Sequence, residues 1–150
     1  MNNNYNICEL DAAEWERVYP IECAAHAFPW SKQTFRDNFG ERYLNLQLLR
    51  EEVPAGFAIC QTVLDEATLF NLAVDPLCQG QGFGRALLQA LVERLEECGI
   101  VTLWLEVRES NTPARALYEA EGFHEVSRRK NYYPTADGRE DAVIMALPLG

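Results

Sequence analysis

Apolar and polar positions along this chain change period several times, and each change marks an element. The clearest helix follows Gly84. Leu87, Leu88, Leu91, Val92 and Leu95 recur at helical spacing and lay one apolar stripe along a segment that runs to Cys98. Gly99 stands where a left-handed cap closes such a helix. Before it lies Leu69–Val74, an apolar run of strand length ended by Asp75-Pro76, because a residue preceding proline is pushed to extended geometry. After it, Val101–Val107 alternates. Val101, Leu103, Leu105 and Val107 point to one face, and Thr102, Trp104 and Glu106 to the other. Strand, helix and strand in that order predict two parallel strands joined by a crossover.

The N-terminal part is patterned less strongly. Asn2–Leu10 predicts a short strand, and Asp11 with Glu14 has the form of a capping box that opens a helix towards Ala27. Pro20 should kink or restart that helix. Phe28-Pro29-Trp30 breaks the chain, Ser31 caps a second helix to Phe39, and Trp30 and Phe35 are spaced as a hydrophobic staple. Gly40 closes it. Tyr43–Arg50 and Ala55–Leu64 predict strands about a Glu51-Glu52 turn, and Asp65-Glu66 turns into Leu69–Val74. Asn111 or Thr112 caps a later helix, with Pro113 near its first position and Gly122 at its end. Strands over Phe123–Lys130 and Asp141–Leu147 flank a loop holding Tyr132-Tyr133-Pro134 and Asp137-Gly138. No repeat, low-complexity tract or linker interrupts the pattern. The expectation is one α/β domain with a mixed, mainly antiparallel sheet.

Composition narrows the classes. The 150 residues suit one domain, and 48% hydrophobic with 24% charged residues is ordinary for a folded chain. A formal net charge of −10 argues against nucleic acid as the main partner and favours cationic ones. The polar start has no secretory pattern, and no apolar run approaches the ~20 residues of a membrane span. Five cysteines without a C-x-x-C pair fit a reduced, cytoplasmic protein. A cysteine nucleophile paired with His26 or His124 is the lesser alternative to idle or buried thiols, and two histidines without H-x-x-x-H spacing make no case for a metal.

The glycine-dense segment Gln79–Arg85 lies between the first parallel strand and its helix. The first turn of a helix has unpaired N–H groups and partial positive charge, so it attracts a phosphate, and glycines before it let a diphosphate reach the backbone. A P-loop is excluded because Gly84 is followed by Arg85-Ala86, with no Lys-Ser/Thr pair. A dinucleotide fingerprint is excluded because Gly80-Gln81-Gly82 is followed too soon by Gly84. The segment reads Q-x-x-G-x-G, through Gln79, Gly82 and Gly84. Arg85 and Arg108 are within reach of phosphate work on type alone. Glu106, on the strand after the crossover, is a candidate base if part-buried, which would raise its pKa, but the spacing fits a solvated strand glutamate equally. Tyr118 shares a helix face with Asn111, and a phenol can protonate a departing thiolate or simply pack in a core.

Asn111, Ala114, Leu117-Tyr118 and Gly122-Phe123 spell N-x-x-A-x-x-L-Y-x-x-x-G-F. Together with Q-x-x-G-x-G after a V-D-P strand end, this resembles the two signatures of the GNAT family of N-acetyltransferases, in order and at the family's distance. AHAFPWS, LFNLAVDP, TLWLEVR and NYYPTADGREDAVIMALP carry the likeness from Ala25 to Pro148. They look like the branch that acetylates the N-terminal alanine of a bacterial ribosomal protein.

The resemblance implies a single-domain fold over residues 1–150, in which two central parallel strands splay at Val74 and Val107 with acetyl-CoA as co-substrate in the wedge. Leu72, Ala73 and Val74 would offer main-chain groups to the pantetheine arm and thioester. Gly80, Gln81, Gly82, Phe83, Gly84 and Arg85 would hold the pyrophosphate, and Asn111 would touch the cofactor. Glu106 falls at the general-base position and Tyr118 at the general-acid position. Gly80 departs from the family, which commonly has a basic or larger polar residue there. The implied substrate is the basic N-terminal peptide of the eighteenth small-subunit ribosomal protein. Direct transfer is expected because no cysteine lies in a motif that would place it at the thioester, and the Asn131–Glu140 loop, with its paired tyrosines, is the candidate lid over the peptide. No nucleic acid or membrane is implied as a direct partner. A polyamine or aminoglycoside acetyltransferase is the alternative within enzymes, and a non-catalytic acyl-CoA-binding module the alternative outside them. Keeping both Glu106 and Tyr118 argues against the latter.

Overall fold

The computed structural model describes residues 4–150. Among these residues seven strands form one sheet: β1 (Tyr5–Glu9), β2 (Leu46–Arg50), β3 (Val53–Val63), β4 (Glu66–Val74), β5 (Thr102–Arg108), β6 (His124–Pro134) and β7 (Arg139–Pro148). Their order across the sheet is β1-β2-β3-β4-β5-β7-β6. Every neighbouring pair is antiparallel except β4 and β5, which are parallel. This is the mixed, mainly antiparallel α/β sheet with two central parallel strands that the resemblance implied.

Among the described residues four α-helices cover the sheet: α1 (Trp15–Ala25), α2 (Lys32–Arg36), α3 (Phe83–Glu97) and α4 (Thr112–Ala120). Alternation along β3 explains how both faces are filled. Phe57 and Ile59 belong to the core under α1 and α2, whereas Ala58 and Cys60 belong to the core under α3. The apolar stripe of α3 is buried as its spacing demands, with Leu87, Leu88, Leu91 and Leu95 fully covered. Its close approach to the sheet depends on Gly56, where a Cβ would lie 2.9 Å from Ala73 O and 3.0 Å from Leu87 Cδ1.

The short α2 owes its place to packing rather than to propensity. Ser31 accepts from Thr34 N–H as its cap, and Trp30 meets Phe35 at 6.0 Å as the staple spacing predicts. Phe35 is fully buried among the rings of Trp15, Tyr19, Trp30, Phe39 and Phe57. Covering such a ring contributes about 1.5–3 kcal/mol.

Several boundaries differ from the sequence reading. Asp11 accepts from Ala13 N–H in a tight turn and α1 begins only at Trp15, so the capping box opens a turn rather than a helix. α1 runs through Pro20 without a restart, because burial of Val18 and Ile21 offsets the missing hydrogen bond. α2 stops at Arg36, well before Phe39. Residues 2 and 3 of the expected first strand lie outside the described residues. The expected Asn131–Glu140 loop is mostly strand: β6 continues to Pro134 and β7 starts at Arg139, past a register shift between Arg129 and Tyr133 where Asn131 has φ 52°. The parallel strands also part earlier than expected. Pairing stops at Leu69 and Leu105, so the splay opens at Phe70 and Glu106, not at Val74 and Val107. The cause is a bulge. Ile59 faces Asn71 but Cys60 faces Leu69, so Phe70 is an extra residue that bends β4 away from β5.

Candidate active site

The splay creates a groove with two arms. One cavity of about 630 Å³ lies between the α1–α2 connection and the β6–β7 hairpin, and its lining includes Glu22, Phe28, Phe70, Glu106, Arg108 and Tyr133. A second, of about 440 Å³, runs along the end of β4 to the glycine segment and α3. His26, Leu72, Asn111 and Tyr118 line both, so the arms meet there.

The glycine arm is built by local backbone geometry. Asp75 accepts from Leu77 N–H and starts a single 3-10 turn, Pro76–Cys78. Gln79 Nε2 then donates to Val74 O at 3.1 Å and ties the segment back to the end of β4. Gly80 and Gly82 have φ of 82° and 83°, a region that disfavours side chains, and a Cβ on either would meet nothing within 4 Å. The open space in front of the α3 N-terminus is therefore kept clear by absent side chains. That is a cradle suited to a diphosphate on helix N–H groups. Beyond Phe70 the edge of β4 that faces β5 has no strand partner, which leaves main-chain groups free for a ligand.

Of the residues implied for the cofactor, Leu72, Ala73, Val74, Gly80, Gly82, Phe83, Gly84 and Asn111 line this arm. Gln81 and Arg85 do not, and Arg85 Nε is held 3.1 Å from Glu121 Oε2. Asn111 spends its side-chain oxygen on capping α4, accepting from Ala114 N–H at 3.2 Å.

Glu106 faces the other arm from β5, where alternation buries Leu105 and Val107 and turns Glu106 into the groove. Its carboxylate is not isolated, since Arg129 Nε donates to Oε1 at 2.8 Å. Tyr118 is buried on α4 beside Phe123, with ring centroids 5.6 Å apart. Burial, then the neighbouring Tyr133, push its pKa above that of an ordinary phenol. Its hydroxyl therefore keeps its proton, the state an acid needs. Glu106 and Tyr118 both line the 630 Å³ arm.

Arg108 lies outside the glycine arm and lines the other one. Its guanidinium lies 4.7 Å from the Phe28 ring and 4.5 Å from the Tyr133 ring, and Nη1 donates to Pro134 O at 2.7 Å and Glu140 Oε2 at 3.2 Å. Hydrogen bonds from Ser110 and Arg108 hold the Glu140 pKa below the usual carboxylate range. Sequence reasoning also missed Glu22, His26 and Asn71, a hydrogen-bonded set brought together from α1, its C-terminal end and β4. Only the polar Glu22 inside an otherwise apolar helix face marked it in advance. Among the described residues no group of three or more His, Cys, Asp or Glu could hold a metal, and no helix is long and apolar enough to cross a membrane.

Comparison with known proteins agrees with this architecture. The pattern of the acetyltransferase (GNAT) family matches residues 4–123. The chain is 61% identical over 143 residues to the ribosomal protein bS18-alanine N-acetyltransferase of Escherichia coli K12, covering 95% of this chain and 97% of that one. It is 59% identical over 144 residues to the enzyme of the same name from Haemophilus influenzae, covering 95% and 98%. The crystal structure of the E. coli ribosomal-protein-alanine enzyme superposes with a TM-score of 0.95 at 60% identity, over 97% of this chain and 94% of that one. With its fold, its two-armed groove and these relatives, the chain belongs to the GNAT family of acetyltransferases.

Proposed function

We propose that this enzyme transfers the acetyl group of acetyl-CoA to the α-amine of an N-terminal alanine on a small-subunit ribosomal protein, bS18. The observation that carries the proposal is the meeting of two arms at Tyr118 and Leu72. A diphosphate-bearing thioester laid along β4 and an amine entering past Glu106 converge there. The names of relatives near 60% identity supply the substrate.

When bound, acetyl-CoA supplies an activated acetyl thioester. Leu72, Ala73 and Val74 would hold its arm by main-chain groups, Gly80–Gly84 with the α3 N-terminus its diphosphate, and the free β4 edge the oxyanion that develops at the thioester carbonyl. Arg85 belongs to this set only if it leaves Glu121. Glu106 accepts a proton from the attacking amine, directly or through a water, and Tyr118 protonates the departing thiolate. The β6–β7 hairpin is one wall of the open arm in place of a loop lid. Incubating the protein with acetyl-CoA and a basic peptide that starts with alanine should yield one acetyl group at the α-nitrogen by mass spectrometry. A faster reaction with spermidine or an aminoglycoside would replace the ribosomal substrate with a small amine.

A further inference from the structure

The groove contains a buried carboxylate that the chemistry above does not use. Glu22 is 1% exposed, and each oxygen has a donor: Asn71 Nδ2 on Oε1 and the Trp30 main-chain N–H on Oε2, both at 2.8 Å. A carboxylate only accepts hydrogen bonds, so the Asn71 amide must turn its NH2 group to Glu22 and its Oδ1 away. That Oδ1 lies 2.9 Å from His26 Nε2, and Glu22 Oε1 is 3.4 Å from the same nitrogen. Both neighbours of Nε2 are acceptors, so Nε2 carries the proton. In the neutral ring Nδ1 is then the free base, and no protein group among the described residues donates to it.

His26 stands where the arms meet, lining both cavities. We propose that His26 is a further catalytic residue: the base that takes the first proton from the substrate's α-ammonium, with Asn71 and Glu22 as positioning residues that set its tautomer. The proposal rests on the acetyl-transfer reading above. An α-amine has a pKa of about 7.7–8.0 and arrives at pH 7 mainly as the ammonium ion. It must lose one proton before it can attack and a second afterwards. In the first transfer the N–H bond breaks, its electron pair stays on the amine, and the proton bonds to Nδ1. The resulting imidazolium sits beside the Glu22 carboxylate and releases its proton to water through the exposed part of the ring. Glu106 takes the second proton and passes it on through water to Tyr118, which has supplied the one that sulfur gains, so two leave nitrogen, one joins sulfur and one enters solvent.

The other titratable or charged groups around this space are Glu106 and Arg108 of β5, Tyr118 of α4, Tyr133 of β6 and Glu140 of β7. Glu106 is paired with Arg129 and Glu140 with Arg108, which leaves Glu22 as the carboxylate beside the imidazole.

Nitrogen-15 NMR of the free protein reads the tautomer directly, since the chain has only two histidines and His124→Gln assigns the other signal. Neutral His26 should appear as Nε2–H; a neutral Nδ1–H ring overturns the proposal. Glu22→Gln removes the reason for the Asn71 orientation and should shift the ring towards Nδ1–H. In turnover on an alanine-first peptide at saturating acetyl-CoA, His26→Gln should lower kcat/KM at pH 7 by about 10-fold, the deficit of neutral α-amine at that pH. Most of the loss should be recovered near pH 9, where the amine is already neutral, and free imidazole should rescue His26→Ala. A His26→Gln profile that follows wild type across pH, or a loss that neither pH nor imidazole restores, overturns the proposal while acetyl transfer stands. Wild-type protein that acetylates no peptide α-amine overturns the underlying reading, and this one with it.

Discussion

Arg108 stacks its guanidinium 4.7 Å from the ring of Phe28, tying the α1–α2 connection to the strand that carries Glu106. It also meets the Tyr133 ring at 4.5 Å and its Nη1 reaches Pro134 O, so one planar cation joins both walls of the 630 Å³ arm. A lysine keeps the charge but loses the flat stacking surface and the fork of donors. Each stacked contact of this kind is worth about 0.5–2 kcal/mol, so Arg108→Lys should raise the peptide KM roughly 10-fold. The acetyl-CoA dissociation constant should not move, because Arg108 lines only the substrate arm. Steady-state kinetics with calorimetry separates the two, and equal losses in both would reject the clamp.

Two glycines make opposite predictions. Gly56 has no room, with Ala73 O at 2.9 Å from a built Cβ, so Gly56→Ala should destabilise the fold by about 1–3 kcal/mol in urea melts. Gly82 has open space but a φ of 83°. Gly82→Val should therefore cost backbone strain of about 1–3 kcal/mol and, separately, put a side chain where the diphosphate would lie. Calorimetry should show acetyl-CoA affinity lost in Gly82→Val and kept in whatever fraction of Gly56→Ala is folded.

Glu106→Gln and Tyr118→Phe test the proton transfers at either end of the reaction. General acid–base groups contribute about 10²–10⁴-fold, so each variant should lose that much turnover while acetyl-CoA still binds. Both substitutions preserve shape, and Tyr118→Phe keeps the ring against Phe123. Full activity in both would leave the two side chains as packing. An isolable acetyl-cysteine would replace direct transfer by a two-step route.

The parts of this molecule that were legible in its sequence are those governed by neighbours a few residues apart. Ser31 with Thr34, Trp30 with Phe35, the α3 stripe and the β5 alternation each act within one or two turns. The glycine segment belongs to the same class, because positive φ at Gly80 and Gly82 is a local requirement. What escaped notice depends on strand register and on residues far apart. The bulge at Phe70 appears only when β3 is paired with β4, yet it decides where the groove opens. The Glu22–Asn71 bond spans 49 positions and the Arg108–Pro134 bond 26. Tyr132-Tyr133 looked like loop residues because Pro134 and Gly138 mark turns, but pairing of Tyr133 with Glu140 and of Pro134 with Arg139 extends the strand past them.

Two buried acids, Cys60 and Tyr118, and the half-buried Tyr133 should make the fold sensitive to alkali. Burial pushes the Cys60 thiol up to about 12 and, with Glu106 nearby, the Tyr133 phenol up to about 12, and Tyr118 is raised as well. The native state holds protons that the unfolded chain gives up above the ordinary thiol and phenol values of about 8.5 and 10. Stability from these groups is complete below those values and falls as pH rises towards the folded ones. Urea midpoints should be flat from pH 7 to 8 and decline above about 9, less steeply in Tyr118→Phe. Thiol labelling at pH 8 should reach exposed Cys23 and Cys98 first and Cys60 only on unfolding. Prompt labelling of Cys60 in the folded protein would contradict its burial.

The substrate proposal makes the most demanding prediction, because local and long-range charge point to different tests. Within the substrate arm the carboxylates of Glu106 and Glu140 are already paired with Arg129 and Arg108, so they offer little uncompensated charge to a peptide. Attraction of a basic terminus must come mainly from the whole chain, with 23 acidic against 13 basic residues. Such attraction is screened within about 8–10 Å at physiological ionic strength. KM for a basic alanine-first peptide should therefore rise steeply with salt, while kcat, set inside the groove, should change little. A neutral alanine-first peptide should show a higher KM and almost no salt dependence. Selection of the α-amine over lysine is a separate matter of proton affinity. A lysine amine with a pKa of about 10.4 stays charged at pH 7, whereas an α-amine near 8 needs only a modest base. Blocking the α-amine of the basic peptide while leaving its lysines free should abolish acetylation at every salt concentration. If the blocked peptide is still acetylated on lysine at a comparable rate, the α-amine assignment fails even though the enzyme remains an acetyltransferase.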